Sequence, residues 1–271
     1  MIKKPYLGIF TIIISLLVLP ASTLASDKAK EKRWADQIVD SLISGEDVWF
    51  EAGSDKFLGI YTENETDKTL GGVIVIHGMG VHPNWADIIQ PIRSELPQYG
   101  WHTLSIQMPI LANEAVYKDY VPLFKEVPPR MAAAVNFFKQ KKISPVVVVA
   151  HSLGTDMSVN WLGNSPGAQK AVSGYVAIGM SVSKDDPKEA DSYAALQKVT
   201  IPMLDIYGAQ DLKGIIDAAP LKKSAARKAG NTDYRQDEVP GANHFFNGLQ
   251  EDLVRRVRSW LAKRFDPAVK K

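Results

Sequence analysis

The chain has 271 residues, 45% of them apolar and 23% charged, the balance of an ordinary soluble globular protein with enough apolar residues to bury one large core. Its formal net charge is +2, without the basic excess that marks a nucleic-acid partner. It contains no cysteine, which excludes disulfides, thiolate metal ligands, lipid attachment at a cysteine and a cysteine nucleophile. His77, His82, His102, His151 and His244 show no His-x-x-x-His or similar ligand spacing, although His77 and His82 lie five apart, so no metal is expected.

In chain order, Lys3 and Lys4 precede an apolar run from Tyr6 to Leu19, and small residues ending Thr23-Leu24-Ala25 follow. This is the layout of an export signal cleaved after Ala25. The competing reading is an uncleaved anchor, but the run falls short of the roughly 20 residues a spanning helix needs. Losing residues 1–25 removes two lysines and leaves the mature chain, 26–271, with balanced charge and no expected membrane span. That chain shows no internal repeat and no Pro/Ser-rich linker, so one domain is expected.

Trp34, Ile38 and Leu42, flanked by Val39 and Ile43, recur at helical spacing and predict a helix covering one edge of the body, ended by Ser44-Gly45. Val48 to Tyr61, broken at Gly53-Ser54-Asp55, reads as an antiparallel hairpin, with a polar turn from Glu63 to Lys68 after it. Short apolar runs then alternate with helical stretches. The runs are Val73–Ile76, Thr103–Ile106, Val146–Ala150, Val172–Ile178 and Ile201–Tyr207; the helices are Asn84–Leu96, Pro129–Lys141, Gly154–Leu162 and Leu212–Ala229. Runs that are continuously apolar suit strands buried on both faces, so the expected class is α/β, a mostly parallel sheet with helices on both sides. A final helix carries Leu249, Leu253, Val254, Val257, Trp260 and Leu261 on one stripe. Two segments fit less well. Met108 to Val127 follows a strand end, where open parallel sheets bind ligands, and Ser181 to Lys198 is the only room for a cap.

The strongest chemical signal is Val146 to Gly154, a buried strand running straight into Ala150-His151-Ser152-Leu153-Gly154 and then a helix. A nucleophile elbow needs small residues two before and two after its serine, and Ala150 and Gly154 meet that need, with Ala in place of the more frequent Gly. The N–H of Leu153, at the helix start, is then free to stabilise an oxyanion. The bland alternative is a serine at an ordinary helix N-cap. A serine hydroxyl needs a histidine to take its proton and a carboxylate to orient that histidine, in the chain order Ser, acid, His. His244 is the only histidine after Ser152, and it lies in Pro240-Gly241-Ala242-Asn243-His244, read as a loop before the last helix. Asp211 follows the strand Ile201–Tyr207 and is the expected acid; Asp205, inside the strand, is its rival, and Asp217, on the next helix, is less well placed. His77-Gly78-Met79-Gly80 after a buried strand supplies a second oxyanion donor, the N–H of Met79, with His77 bracing the loop. His82, Trp85 and His151 are candidates for pocket or loop support, and Asp156 for capping or bracing its helix.

Taken together, His77-Gly78-Met79-Gly80, Ala150-His151-Ser152-Leu153-Gly154, Gly208-Ala209-Gln210-Asp211 and Gly241-Ala242-Asn243-His244 resemble the α/β-hydrolase superfamily, over roughly Val48 to Phe265. His82-Pro83-Asn84-Trp85 with Ser105-Ile106-Gln107-Met108-Pro109 is similar to exported bacterial α/β-hydrolase-like proteins of unassigned substrate. The resemblance implies fold and triad but no substrate. The expected activity is hydrolysis of an ester, thioester or amide through an acyl-enzyme on Ser152, without a cofactor, with small carboxylic esters favoured and the periplasm as destination. The activity should fall in acid as the histidine base is protonated. An acyltransferase would use the same residues. The alternative from another class is a cell-envelope scaffold that keeps the fold without turnover.

Overall fold

The computed structural model describes residues 25–53 and 55–269. The export-signal reading therefore falls almost wholly on residues outside this range. In order, the elements are α1 (Lys28–Asp40), β1 (Glu46–Ala52), β2 (Asp55–Thr62), β3 (Gly71–Ile76), α2 (Ile89–Glu95), β4 (Trp101–Ile106), α3 (Tyr117–Tyr120), α4 (Val127–Gln140), β5 (Val146–His151), α5 (Leu153–Asn164), α6 (Ala168–Ala171), β6 (Gly174–Ile178), α7 (Ser192–Leu196), β7 (Met203–Gln210), α8 (Lys213–Asp217), α9 (Ala219–Lys228), β8 (Tyr234–Asn243) and α10 (Gln250–Phe265). Among the described residues no helix is long and apolar enough to cross a membrane.

The strands form one sheet in the order β1-β2-β4-β3-β5-β6-β7-β8. β1, β2 and β4 pair antiparallel and every later pair is parallel. Side chains alternate across the pleat, so Val73 and Val75 of β3 pack on one face with Ile89 and Ile92 of α2 and Val257 and Leu261 of α10. Ile74 and Ile76 pack on the other with Met131 and Phe138 of α4 and Met157 of α5. Both faces are dry, which is why these strands read as unbroken apolar runs. α1 lays Ala35 and Ile38 over Leu58 and Ile60 of β2, the covering role its spacing predicts.

The structure departs from expectation in three places. β8 lies where no strand is predicted, because Tyr234-Arg235-Gln236-Asp237-Glu238 is polar and only half-buried, as suits an edge strand with a single neighbour. It also absorbs Pro240 to Asn243, so the loop ahead of α10 is shorter than expected and His244 is its first residue. The stretch read as one helix over Leu212–Ala229 is two, with Pro220 opening α9, and the helix expected from Asn84 begins only at Ile89.

Asp205 of β7 is wholly buried and serves the fold. Lys222 of α9, equally buried, places Nζ 2.9 Å from Asp205 Oδ1 and 3.1 Å from the Met180 carbonyl. Tyr234 and Gln236 of β8 donate to Asp205 Oδ2 at 2.6 and 2.9 Å. One carboxylate thereby ties α9 and β8 to β7.

Candidate active site

Ser152 stands between the end of β5 and the first turn of α5 with φ 53° and ψ −131°, a conformation rarely adopted by non-glycine residues. Its N–H is held by the Ile178 carbonyl of the neighbouring strand at 2.9 Å. The close packing demanded of an elbow is visible two residues on, where a β-carbon on Gly154 would lie 2.4 Å from the His77 carbonyl oxygen. Such a turn presents the hydroxyl at the carboxyl edge of the sheet.

Adjacent strands bring the partners to that hydroxyl. Asp211 directly follows β7 and His244 directly follows β8. His244 Nε2 is 3.0 Å from Ser152 Oγ, and His244 Nδ1 is 2.7 Å from Asp211 Oδ1. The N–H groups of Leu212 and Gly208 donate to the same carboxylate at 2.7 and 3.4 Å. Burial would raise the Asp211 carboxyl, but the hydrogen bond and charge of His244 together with these two N–H donors outweigh it and hold it below the ordinary carboxylate range. Asp211 thus stays a carboxylate that accepts a hydrogen bond from the His244 Nδ1–H, which leaves Nε2 facing the serine. Neither rival takes this place: Asp205 is committed to Lys222, and Asp217 pairs with exposed Lys213.

The loop after β3 abuts Ser152. A β-carbon on Gly78 would lie 2.9 Å from Ser152 Cβ, so only a glycine lets this turn come so close. His77 braces it: its Nδ1–H donates to the Gly78 carbonyl at 2.8 Å, while Nε2 accepts from the Met108 N–H at 2.9 Å and lies 3.0 Å from Gln107 Nε2. Burial drives the His77 imidazole down to about 3, more than the Gly78 carbonyl restores, so it is neutral and structural. The backbone of Met79 follows this braced turn, and the N–H of Leu153 is the first of α5.

His151 donates from Nε2 to the His244 carbonyl at 3.0 Å, its ring 4.8 Å from the His244 ring, and burial lowers it to about 4. It therefore supports the loop that carries His244. His82 and Trp85 go elsewhere. They pack on each other, and His82 also meets Trp34 of α1; none of their hydrogen bonds or ring contacts among the described residues reaches Ser152, Asp211 or His244. Gln107, Met108 and Gly179, which lies against His244 and Asp211, were not singled out from the sequence as site residues, because backbone donors and close packing leave no residue-type signature. No group of three or more His, Asp or Glu among the described residues converges as metal ligands would.

Asp156, one turn beyond Ser152, does not cap α5 as its position suggested. It is fully buried, Oδ2 accepts from Ser181 Oγ at 3.3 Å, and Oδ1 has no hydrogen-bond partner among the described residues. Burial pushes its carboxyl well up, and the charge of Asp186 adds to this. A carboxyl whose pKa is higher folded than unfolded costs stability once pH exceeds the ordinary carboxylate value near about 4. Asp156→Asn should therefore raise the melting temperature at pH 7, by an equivalent of about 1–3 kcal/mol, and the gain should vanish towards about pH 4. Thermal melts across that range decide it; no gain at pH 7 would contradict the account.

The chain was compared with known proteins. A family model described as "Protein of unknown function (DUF3530)" matches residues 19–122 and 123–263. No curated protein matches the chain in sequence. Among solved structures, Est1E from Butyrivibrio proteoclasticus with ferulic acid bound is similar at TM-score 0.65 and 13% identity, over 80% of this chain and 98% of its own. Dienelactone hydrolase from Anabaena variabilis is similar at TM-score 0.64 and 20% identity, over 82% and 98%. A soluble variant of monoglyceride lipase from Saccharomyces cerevisiae gives 0.62 and 14%, over 83% and 97%. Likeness at such low identity is likeness of fold, and the fold is that of the α/β hydrolases. With the model matched along most of its length, the chain belongs to the DUF3530 family, built on this fold.

Proposed function

We propose that the protein is a serine hydrolase that cleaves carboxylic esters through an acyl-enzyme on Ser152. The observation that carries this reading is the continuous hydrogen-bonded line Ser152–His244–Asp211 at the end of a strained turn. In the first half-reaction His244 Nε2 takes the Ser152 proton as Oγ attacks the carbonyl carbon. The N–H groups of Met79 and Leu153 receive the oxyanion, Asp211 stabilises the imidazolium, and the imidazolium returns the proton to the departing alcohol. Water then repeats the cycle on the acyl-enzyme and frees the acid.

Esters with an apolar portion fit best. Met79, Leu212 and Phe245 are 42%, 59% and 40% exposed, and each follows directly on Gly78, Asp211 or His244. Their outward apolar surface suits a carbon-rich acyl or alcohol group. The segment read as a cap, Ser181 to Lys198, adds only α7 and a single 3₁₀ turn. The names of the similar structures, a dienelactone hydrolase and a monoglyceride lipase, accord with small esters. Export with cleavage after Ala25 completes the reading and accords with an exposed Ala25 followed by a buried Ser26.

Intact-mass measurement after treatment with a fluorophosphonate tests the activated nucleophile. A single adduct on the wild-type protein, absent from Ser152→Ala, is the expected result. A folded wild-type sample that takes up no reagent would favour a scaffold without turnover.

A further inference from the structure

Ser26 is 5% exposed, although it lies immediately ahead of the first helix. Its N–H donates to Glu126 Oε1 at 3.1 Å and its hydroxyl to Glu126 Oε2 at 2.7 Å. Lys28 Nζ lies 3.2 Å from the same Oε2 and 2.8 Å from Asp55, and Arg130 Nη2 lies 3.7 Å from Oε2. Arg130, almost wholly buried, also reaches both Glu31 oxygens at 3.0 Å. Among the described residues, this connected group thus sets the carboxylates Glu31, Asp55 and Glu126 against two cations, Lys28 and Arg130. A partly buried carboxylate without a full counter-charge is costly. Yet Glu126 is held below the usual carboxylate range: burial would raise it, and the two Ser26 hydrogen bonds and Lys28 prevail. The atom at the centre of this arrangement is the Ser26 nitrogen, which carries only a partial charge while it is part of a peptide bond.

We propose that Glu126 is a built socket for the α-ammonium of Ser26, formed when the Ala25–Ser26 bond is hydrolysed. Water adds across that bond, Ala25 leaves with the carboxylate, and the Ser26 amine takes up a proton and supplies the missing cation. The inference rests on the export reading above. Its reach extends to the catalytic loop, because the same N-terminal segment is fastened to residues 107–111. Asp27 N–H donates to the Ile110 carbonyl at 2.7 Å, Lys30 Nζ to the Leu111 carbonyl at 2.7 Å, and Arg130 to the Gln107 carbonyl at 2.8 Å. Gln107 and Met108 in turn hold His77.

Periodate provides the test, because it cleaves a free N-terminal serine between its amine-bearing and hydroxyl-bearing carbons and leaves other serines alone. The intact mass of the protein recovered from exporting cells comes first: any start other than Ser26 overturns the cleavage reading and the socket with it. For a chain beginning at Ser26, oxidation should be slower in the native state than in denaturant by about tenfold or more, since the amine and hydroxyl react only when unseated. Equal rates overturn the socket while leaving the cleavage reading intact. Glu126→Gln should restore fast oxidation in the folded protein. Should that variant not fold, chains starting at Ser26 and at Ala25 are compared by thermal melting. An amine whose pKa is raised by Glu126 adds stability below the unfolded α-amino value of about 8 and loses it as pH rises through the folded value. The Ser26 chain should therefore melt higher at pH 7 and lose that lead at alkaline pH, and identical melting at pH 7 would overturn the proposal.

Discussion

Ser152→Ala and His244→Ala should each lower kcat/KM for a cleavable ester by roughly three orders of magnitude or more, with the melting temperature nearly unchanged. The reason is division of labour. In the proposed mechanism Ser152 supplies the attacking oxygen, and His244 Nε2, 3.0 Å away, is the only described base within reach to take its proton. The two act as one unit, so the double variant should be scarcely worse than either single one. The residual rate would measure what the Met79 and Leu153 N–H groups contribute unaided. Steady-state kinetics on a chromogenic ester, with circular dichroism to verify folding, is the measurement. Near-normal turnover in either variant would remove the proposed mechanism.

Lys222→Met should cost about 3–5 kcal/mol of stability, the penalty of stranding a buried carboxylate. Asp205 would keep its hydrogen bonds from Tyr234 and Gln236 but lose the only cation paired with it among the described residues, at a point with no solvent access. Adding Asp205→Asn should recover much of the loss, because the charge goes while the shape stays. Chemical denaturation of the two variants measures both numbers, and a Lys222→Met protein as stable as wild type would refute the account. The folded fraction of either variant should still label with a fluorophosphonate. That outcome separates Asp205 from Asp211, which the sequence alone could only rank.

The site was legible from the sequence where chemistry needs a particular residue type in a particular setting. Val146 to Gly154 announces strand, elbow and helix together, and a lone downstream histidine leaves little choice of base. The carboxylate that pairs with His244 was legible too, because Asp211 directly follows a strongly apolar strand. The sequence failed where structure arises from a neighbour rather than from the segment itself. β8 exists because β7 offers it an edge, and its own residues alternate too weakly to announce a strand. Of the two roles open to His82 and Trp85, pocket lining or loop support, the contacts among the described residues favour the second: His82 Nδ1 accepts from the Asn84 N–H, and its ring meets Trp34, some fifty residues earlier. Asp156 looked like a helix brace, and only the folding of the 181–192 segment over it reveals an oxygen without a partner.

The three outward apolar residues that follow Gly78, Asp211 and His244 suggest how the proposed site could change its preferences over generations. Met79, Leu212 and Phe245 each sit one position after a residue of the proposed site or its close packing, yet all three are exposed, and of the three only Phe245 shows ring contacts inward, with His151 and His244. Selection can alter them one at a time without having to repair the interior. Under the proposed function, a lineage carrying this scaffold could move between substrates through single substitutions while Ser152, Asp211 and His244 stay in place.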